Sequence, residues 1–255
     1  MLMVHGAFCG GWAYDDWKSF FGAAGWRCDA PDLLYHDRPA RTEPDARLGS
    51  TSLTDFADAL ERRILDGATR PVIVGHSMGG LLAQMLAARN LARALVLLAP
   101  SAPWGVLPSS EGEFAAALGV LASGAVFHQP VRPVFEIAAS HALHRLDHRR
   151  QRAVYGRFVP ESGRALTEVL HWPFDFRMAS AVPAWKVRCP VLVLSGSEDR
   201  VNTPATVRRV AARYGNRASF EMLDGHAHWL VGEADWEVVA RKVADWLDQL
   251  VESGG

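Results

Sequence analysis

The sequence has little cysteine, almost no net charge and no long apolar run, and each shortage excludes a class of protein. No apolar stretch nears the roughly 20 residues that a membrane-spanning helix needs, so no membrane association is expected. The opening Met1-Leu2-Met3-Val4-His5 has no basic region and only a short apolar stretch, which does not read as a signal peptide. The formal net charge is −1, which offers nothing to a polyanion, so nucleic acid is not an expected partner. The three cysteines, Cys9, Cys28 and Cys189, are odd in number and match neither a disulfide framework nor a zinc site. They read as buried free thiols of a soluble, cytoplasmic protein. There is no repeat and no low-complexity tract, and nothing in the sequence bears on oligomeric state.

What is present is a chain of 255 residues with 49% hydrophobic residues, enough for one large domain or a core with an inserted lid. Short apolar runs alternate with amphipathic helical stretches, the pattern of a parallel sheet covered by helices. The strand candidates are Leu2–Val4, Arg27–Ala30, Val72–Val74, Ala94–Leu98, Val191–Leu194 and Phe220–Leu223. Most are rich in Val, Leu and Ile without polar alternation, as strands buried on both faces are. Ser52 before Leu53-Thr54-Asp55 predicts a helix start, with the helix running to about Leu65. Trp236, Val239, Val243, Trp246, Leu247 and Leu250 share one face of a final helix. From about Pro103 to Trp185 no good strand run occurs. Helical stretches such as Glu113–Leu121, Val134–Leu146 and Gly163–His171 stand there, punctuated by prolines 130, 133, 160 and 173. The expected division is therefore a core of residues 1–102 and 185–255, with a helical cap, 103–184, inserted between core strands.

One motif carries chemistry. Pro71-Val72-Ile73-Val74 runs into Gly75-His76-Ser77-Met78-Gly79-Gly80, and Leu81-Leu82-Ala83-Gln84-Met85 continues as a helix. G-x-S-x-G between a strand and a helix is the setting that a nucleophilic serine requires. The turn is tight, so the neighbours of Ser77 must be small, and the following helix brings free N–H groups to the reacting centre. A serine nucleophile needs a general base, and the base needs an orienting acid. The strand Val191–Leu194 leads into Ser195-Gly196-Ser197-Glu198-Asp199, where Asp199 is the chosen acid and Glu198 its rival. After Phe220–Leu223 comes Asp224-Gly225-His226-Ala227-His228, where two histidines compete for the base. Their H-x-H spacing suggests metal, but no cysteine or carboxylate cluster accompanies it, and no metal or other cofactor is expected. An oxyanion needs two backbone N–H donors. Met78 supplies one, and the glycine-rich loop His5-Gly6-Ala7-Phe8-Cys9-Gly10-Gly11-Trp12 the other, assigned to Ala7 with Phe8 as the alternative. Cys9 is expected near the pocket mouth.

With these residues the chain resembles the α/β-hydrolase superfamily over nearly its whole length. The resemblance rests on His5-Gly6-Ala7-Phe8, Gly75-His76-Ser77-Met78-Gly79-Gly80, Gly196 with Asp199, and Ala227-His228 with Glu233. In that family the catalytic histidine commonly precedes a glutamate by five residues, which implies His228 rather than His226. Many members carry two extra strands before the His-Gly loop, whereas here the loop follows Met1 almost at once. That is similar to the compact six-stranded core of plant methylesterases and hydroxynitrile lyases, a truncated or misassigned start being the alternative. Trp229 stands where the cyanohydrin-cleaving members place a lysine, and Gly6 where they place a threonine. Ser77 excludes the aspartate nucleophile of dehalogenases and many epoxide hydrolases.

The resemblance implies an α/β-hydrolase fold, with a sheet of about six mostly parallel strands, and a serine hydrolase acting on small to medium, largely apolar esters. Thioester, lactone or C–C hydrolysis, perhydrolysis, lyase chemistry and a non-catalytic receptor are the rival readings. Ligand pockets are mostly apolar, so Phe8, Trp104 and Trp229 are expected at the substrate. Phe127, Phe135, Trp172, Phe174 and Phe176 add aromatic bulk in the cap. His141, His144 and His148, at helical spacing, read as a solvated cap face beside Arg145, Arg149 and Arg150.

Overall fold

The computed structural model describes residues 1–107, 109, 128–171 and 175–253. The expected helix Glu113–Leu121 and the aromatics Phe127, Trp172 and Phe174 lie outside the described residues.

The chain opens with β1 (Leu2–Val4), followed by α1 (Asp15–Ala23) and α2 (Leu53–Leu65). The start of α2 is set by a capping box. The Ser52 side chain accepts from Thr54 N–H, and Asp55 reaches back to Ser52 N–H. Then come β2 (Val72–His76), α3 (Met78–Ala88) and β3 (Ala94–Leu98). A long insertion follows with β4 (Pro130–Val131), α4 (Phe135–Ile137), α5 (His148–Tyr155), β5 (Glu161–Ser162) and α6 (Gly163–Leu170). The chain returns through β6 (Val191–Gly196), α7 (Pro204–Ala212), β7 (Ala218–Leu223) and α8 (Trp236–Ser253).

Strands β1, β2, β3, β6 and β7 form one parallel sheet in that order. Alternate side chains point to opposite faces, and two cores result. Ile73, Leu95, Leu97, Val191 and Val193 pack with Phe56 and Leu60 of α2, Leu82 and Leu86 of α3, and Val207 and Val210 of α7. Val72, Val74, Val96, Leu98, Leu192 and Leu194 pack with Trp17 and Phe21 of α1 and with Val239, Val243 and Leu247 of α8. Central strands β2, β3 and β6 are buried throughout, which is why they read as unbroken apolar runs.

Three expectations change. Arg27–Ala30 is not a strand; only Asp29 bridges Leu2, through Met3 N–H to Asp29 O (2.8 Å) and Asp29 N–H to Met1 O (2.9 Å). Pro31 has no N–H, so the ladder cannot continue, and among the described residues the sheet has five strands plus this one bridge. The insertion does contain strand, because β4 and β5 pair antiparallel. Two-residue strands around a proline carry no period to read. The expected helix over Val134–Leu146 is α4 running into one wide turn, Ala138–Ala142.

Candidate active site

All the loops that meet at the site leave the carboxyl ends of parallel strands, where such sheets bind ligands. The turn after β2 is the tightest. Ser77 has φ +54° and ψ −122°, a strained conformation for a residue with a side chain. The flanking glycines make it feasible. A Cβ on Gly75 would stand 2.3 Å from the Gly79 carbonyl oxygen, and one on Gly79 would stand 2.2 Å from that of Val4. Ser77 N–H donates to Leu98 O (3.1 Å), tying the turn to the end of β3.

His228 arrives on the loop after β7 and Asp199 on the loop after β6. His228 Nε2 lies 3.0 Å from Ser77 Oγ, and His228 Nδ1 lies 2.9 Å from Asp199 Oδ2. The other carboxylate oxygen, Oδ1, accepts Val201 N–H (2.8 Å) and Asn202 N–H (2.9 Å), which fixes its plane. With Nδ1–H donated to the carboxylate, Nε2 is left to accept the serine proton. Ser77, Asp199 and His228 are all buried. Glu198, the rival acid, is exposed and faces Arg145 and His144 instead, at 3.8 and 3.9 Å.

The His226 ring meets two carboxylates instead of Ser77. Its Nδ1 lies 3.1 Å from Glu233 Oε2 and its Nε2 3.6 Å from Asp235 Oδ2. The expectation that no carboxylates accompany the H-x-H pair is therefore corrected: they come from farther along the loop. Among the described residues these three form the one set of potential metal-binding side chains, their nearest ligating atoms within 4.8 Å of one another. The hydrogen bond to Glu233 is the main cause that raises the His226 pKa. Glu233 also accepts Ala227 N–H (2.9 Å) and thus braces the loop from behind. That is the physical content of the spacing between His228 and Glu233.

Sequence reasoning missed His76. It is fully buried, and burial, then the nearby His228, holds its pKa down at about 3. As a neutral ring it donates Nε2–H to His228 O (2.8 Å), so the residue beside the serine also holds the backbone of the histidine.

The loop after β1 carries Ala7 and Phe8, both half-buried, and Phe8 takes φ +64°. Among the described residues no hydrogen bond uses the N–H of Ala7 or of Met78. Phe8 N–H by contrast donates to Glu161 Oε2 (3.2 Å). Trp104 is half-buried just beyond the end of β3, and its N–H donates to Ser180 O (3.0 Å). Trp229 is 3% exposed and packs with Trp12, Phe158 and His76, the surroundings of a core residue. Cys9 is buried in the same core, not at a pocket mouth, and burial raises its thiol pKa. Cys28 and Cys189 are only half-buried. His141 and His148 are exposed, while His144 is half-buried. A cavity of about 590 Å³ lies elsewhere, against α2, lined by Asp32, Tyr35, Arg47, Phe56 and Leu60 among others and by none of Ser77, Asp199 and His228.

A parallel sheet whose strand ends present a strained serine, a histidine and an aspartate in hydrogen-bonded sequence defines the α/β-hydrolase class of fold. The chain belongs to the alpha/beta hydrolase family, whose sequence profile matches residues 1–242. No curated protein matches it in sequence. Among solved structures it is similar to a monoacylglycerol lipase from Paleococcus ferrophilus (TM-score 0.70, 19% identity, covering 96% of this chain and 92% of that one). It is also similar to a pyrethroid hydrolase from Sphingobium faniae (0.69, 18%, 98% and 98%) and to a methylesterase from Arabidopsis (0.69, 14%, 99% and 99%). At these identities the likeness is one of fold. No described helix is long and apolar enough to cross a membrane.

Proposed function

We propose that the protein is a serine carboxylic-ester hydrolase that needs no cofactor and acts on small to medium, largely apolar esters. The observation that carries this reading is the continuous hydrogen-bonded line from Ser77 Oγ through His228 to Asp199 on a strained strand–helix turn. Ser77 attacks the ester carbonyl while His228 Nε2 takes its proton. Asp199 holds the ring in the required tautomer and stabilises the imidazolium. The N–H groups of Ala7 and Met78 bind the oxyanion. His228 then protonates the departing alcohol, leaving Ser77 acylated. Water, deprotonated by His228, cleaves the acyl-enzyme and restores the serine.

Residues 103–184 act in this reading as a cap over the site, and Phe8 and Trp104 face the substrate. The burial of Trp229 supports a different task for it, holding the His228 loop in place. The family membership and the lipase, pyrethroid hydrolase and methylesterase named among the similar structures support ester chemistry. The test is a panel of p-nitrophenyl esters of increasing acyl length, run with a fluorophosphonate label. Hydrolysis of short and medium esters, with label on Ser77, is expected. Absence of turnover on every ester, with no label at Ser77, overturns the reading.

A further inference from the structure

Phe8 is a bulky residue in left-handed backbone (φ +64°), a conformation that persists only where the surroundings impose it. The constraint comes from the insertion, some 150 residues away in sequence. Val159 N–H donates to Phe8 O (2.8 Å), and Phe8 N–H donates to Glu161 Oε2 (3.2 Å). The next residue in the loop after Ala7 is thus gripped on both its polar groups by residues 159–161.

Glu161 is fully buried, and its hydrogen bonds reveal its charge. Oε1 accepts Ser162 N–H (2.7 Å), and Oε2 accepts Phe8 N–H and faces His36 Nε2 at 3.1 Å. Backbone donors to both oxygens favour the ionised carboxylate. His36 Nδ1 lies 3.0 Å from the Leu34 carbonyl, which can only accept, so Nδ1 carries hydrogen, and an ionised Glu161 calls for a second hydrogen on Nε2. The pKa directions agree. Burial opposes the charge on each partner, yet each partner's charge prevails, raising His36 and lowering Glu161. His5, whose ring centroid is 5.3 Å from that of His36, is held neutral at about 4, chiefly by burial. It donates Nδ1–H to Gly6 O (2.9 Å) and accepts Leu33 N–H (3.0 Å) at the root of the same loop.

A buried ion pair is poor evidence of stabilisation, since desolvation cancels much of the attraction. What this one does is geometric. We propose that Glu161, held by His36, is a positioning residue for the oxyanion hole. It occupies the Phe8 N–H and fixes the Ala7–Phe8 peptide so that the Ala7 N–H is the loop's donor to the reacting oxygen. The cap and the hole are thereby one unit, and displacing residues 159–161 dismantles the hole. The inference rests on the serine mechanism proposed above.

The experiment compares Glu161→Ala and Glu161→Gln with wild type for kcat and KM on p-nitrophenyl acetate. It also measures the affinity for a trifluoromethyl ketone, whose adduct with Ser77 places an oxyanion in the hole. For Glu161→Ala, kcat falls about a hundredfold, the loss of roughly one hole donor. KM stays within about threefold, and the ketone weakens in step with kcat. Glu161→Gln, whose amide oxygen still accepts Phe8 N–H, recovers most of the lost kcat. A folded Glu161→Ala with wild-type kcat and ketone affinity overturns the proposal, as does a loss confined to thermal stability. Should Glu161→Ala not fold, the double variant His36→Phe/Glu161→Leu decides, because it removes both charges and keeps the volume. Depressed kcat and ketone affinity there support the proposal, and wild-type values refute it. Fluorophosphonate labelling of wild type separates the two readings. No label at Ser77 removes the serine mechanism itself, whereas label at Ser77 with unaffected Glu161 variants removes only the positioning role.

Discussion

His226 and His228 stand two residues apart on one loop, both buried, and differ in what their rings meet. His228 faces a serine on one side and a fixed carboxylate on the other, while His226 meets carboxylates on both. Only the first arrangement leaves a nitrogen free to accept a proton from Ser77. His228→Ala is therefore expected to abolish acylation of Ser77 even in a single turnover. His226→Ala should keep turnover within about tenfold, since only positioning is disturbed. Its larger effect falls on stability, about 1–3 kcal/mol, because Glu233 loses a buried partner. Pre-steady-state acylation of the two variants checks this, and an inactive His226→Ala beside an active His228→Ala reverses the assignment. Ser77→Ala should lower turnover on the order of 10⁶-fold. Asp199→Asn should lower it by roughly 10⁴-fold, through the wrong tautomer. Glu198→Gln, a change at an exposed side chain, should leave rates near wild type.

At the scale of elements, α6 joins the insertion to the core through a second carboxylate. Glu168 accepts Ser52 Oγ–H (2.9 Å) and Leu53 N–H (2.8 Å) at the start of α2, and Arg164 Nε–H (2.9 Å) from its own helix. The N-terminus of a helix favours negative charge, so Glu168 is the natural docking point there. Glu168→Ala should cost about 1–3 kcal/mol in urea unfolding and leave kcat on small esters unchanged; an unaltered unfolding midpoint would refute the docking role. The two glutamates also mark where the sequence stopped being readable. The central strands, the start of α2 at Ser52 and the nucleophile turn follow from local patterns: unbroken Val, Leu and Ile runs, a capping box, and glycines where a Cβ has no room. Ser77 stands directly after such a strand, whereas the loops after β6 and β7 each offered two candidates, and the choice of His228 over His226 rested on the family's spacing to Glu233. His36, Glu161 and His76 carry no such signal, for their meaning lies in partners on other elements. Pro31 ended a strand that the apolar pattern of its neighbours suggested. The two-residue strands β4 and β5 exist only through their pairing.

For the molecule as a whole, the buried histidines set the response to acid. His5 and His76 are kept neutral in the fold, mainly by burial, with pKa values of about 4 and about 3 against 6.5 for the free side chain. His5 is faced by His36, Glu161 and Asp32, and His76 by His228 and His5. In the unfolded chain both rings take up protons as pH falls through 6.5, and in the folded protein they cannot until about 4 and about 3. Stability must therefore decline as the solution is acidified across that interval. Each pKa unit of difference is worth about 1.4 kcal/mol, so the two rings together weigh several kcal/mol against a total of roughly 5–15. Glu161 acts in the same direction. Its lowered pKa gives stability that is present above its unfolded value and lost as pH falls through the folded one. His36 and His226 act oppositely. Their raised pKa values give stability that is complete below 6.5 and lost as pH rises through the folded values. Thermal midpoints should thus be highest near pH 6.5, decline modestly on the alkaline side and fall steeply towards pH 4. His76→Gln isolates one contributor, because an amide can still donate to His228 O without titrating. Its acid limb should be visibly shallower than that of wild type, measured as Tm at half-unit pH steps. Parallel acid limbs in the two proteins would show that His76 is not what acid attacks.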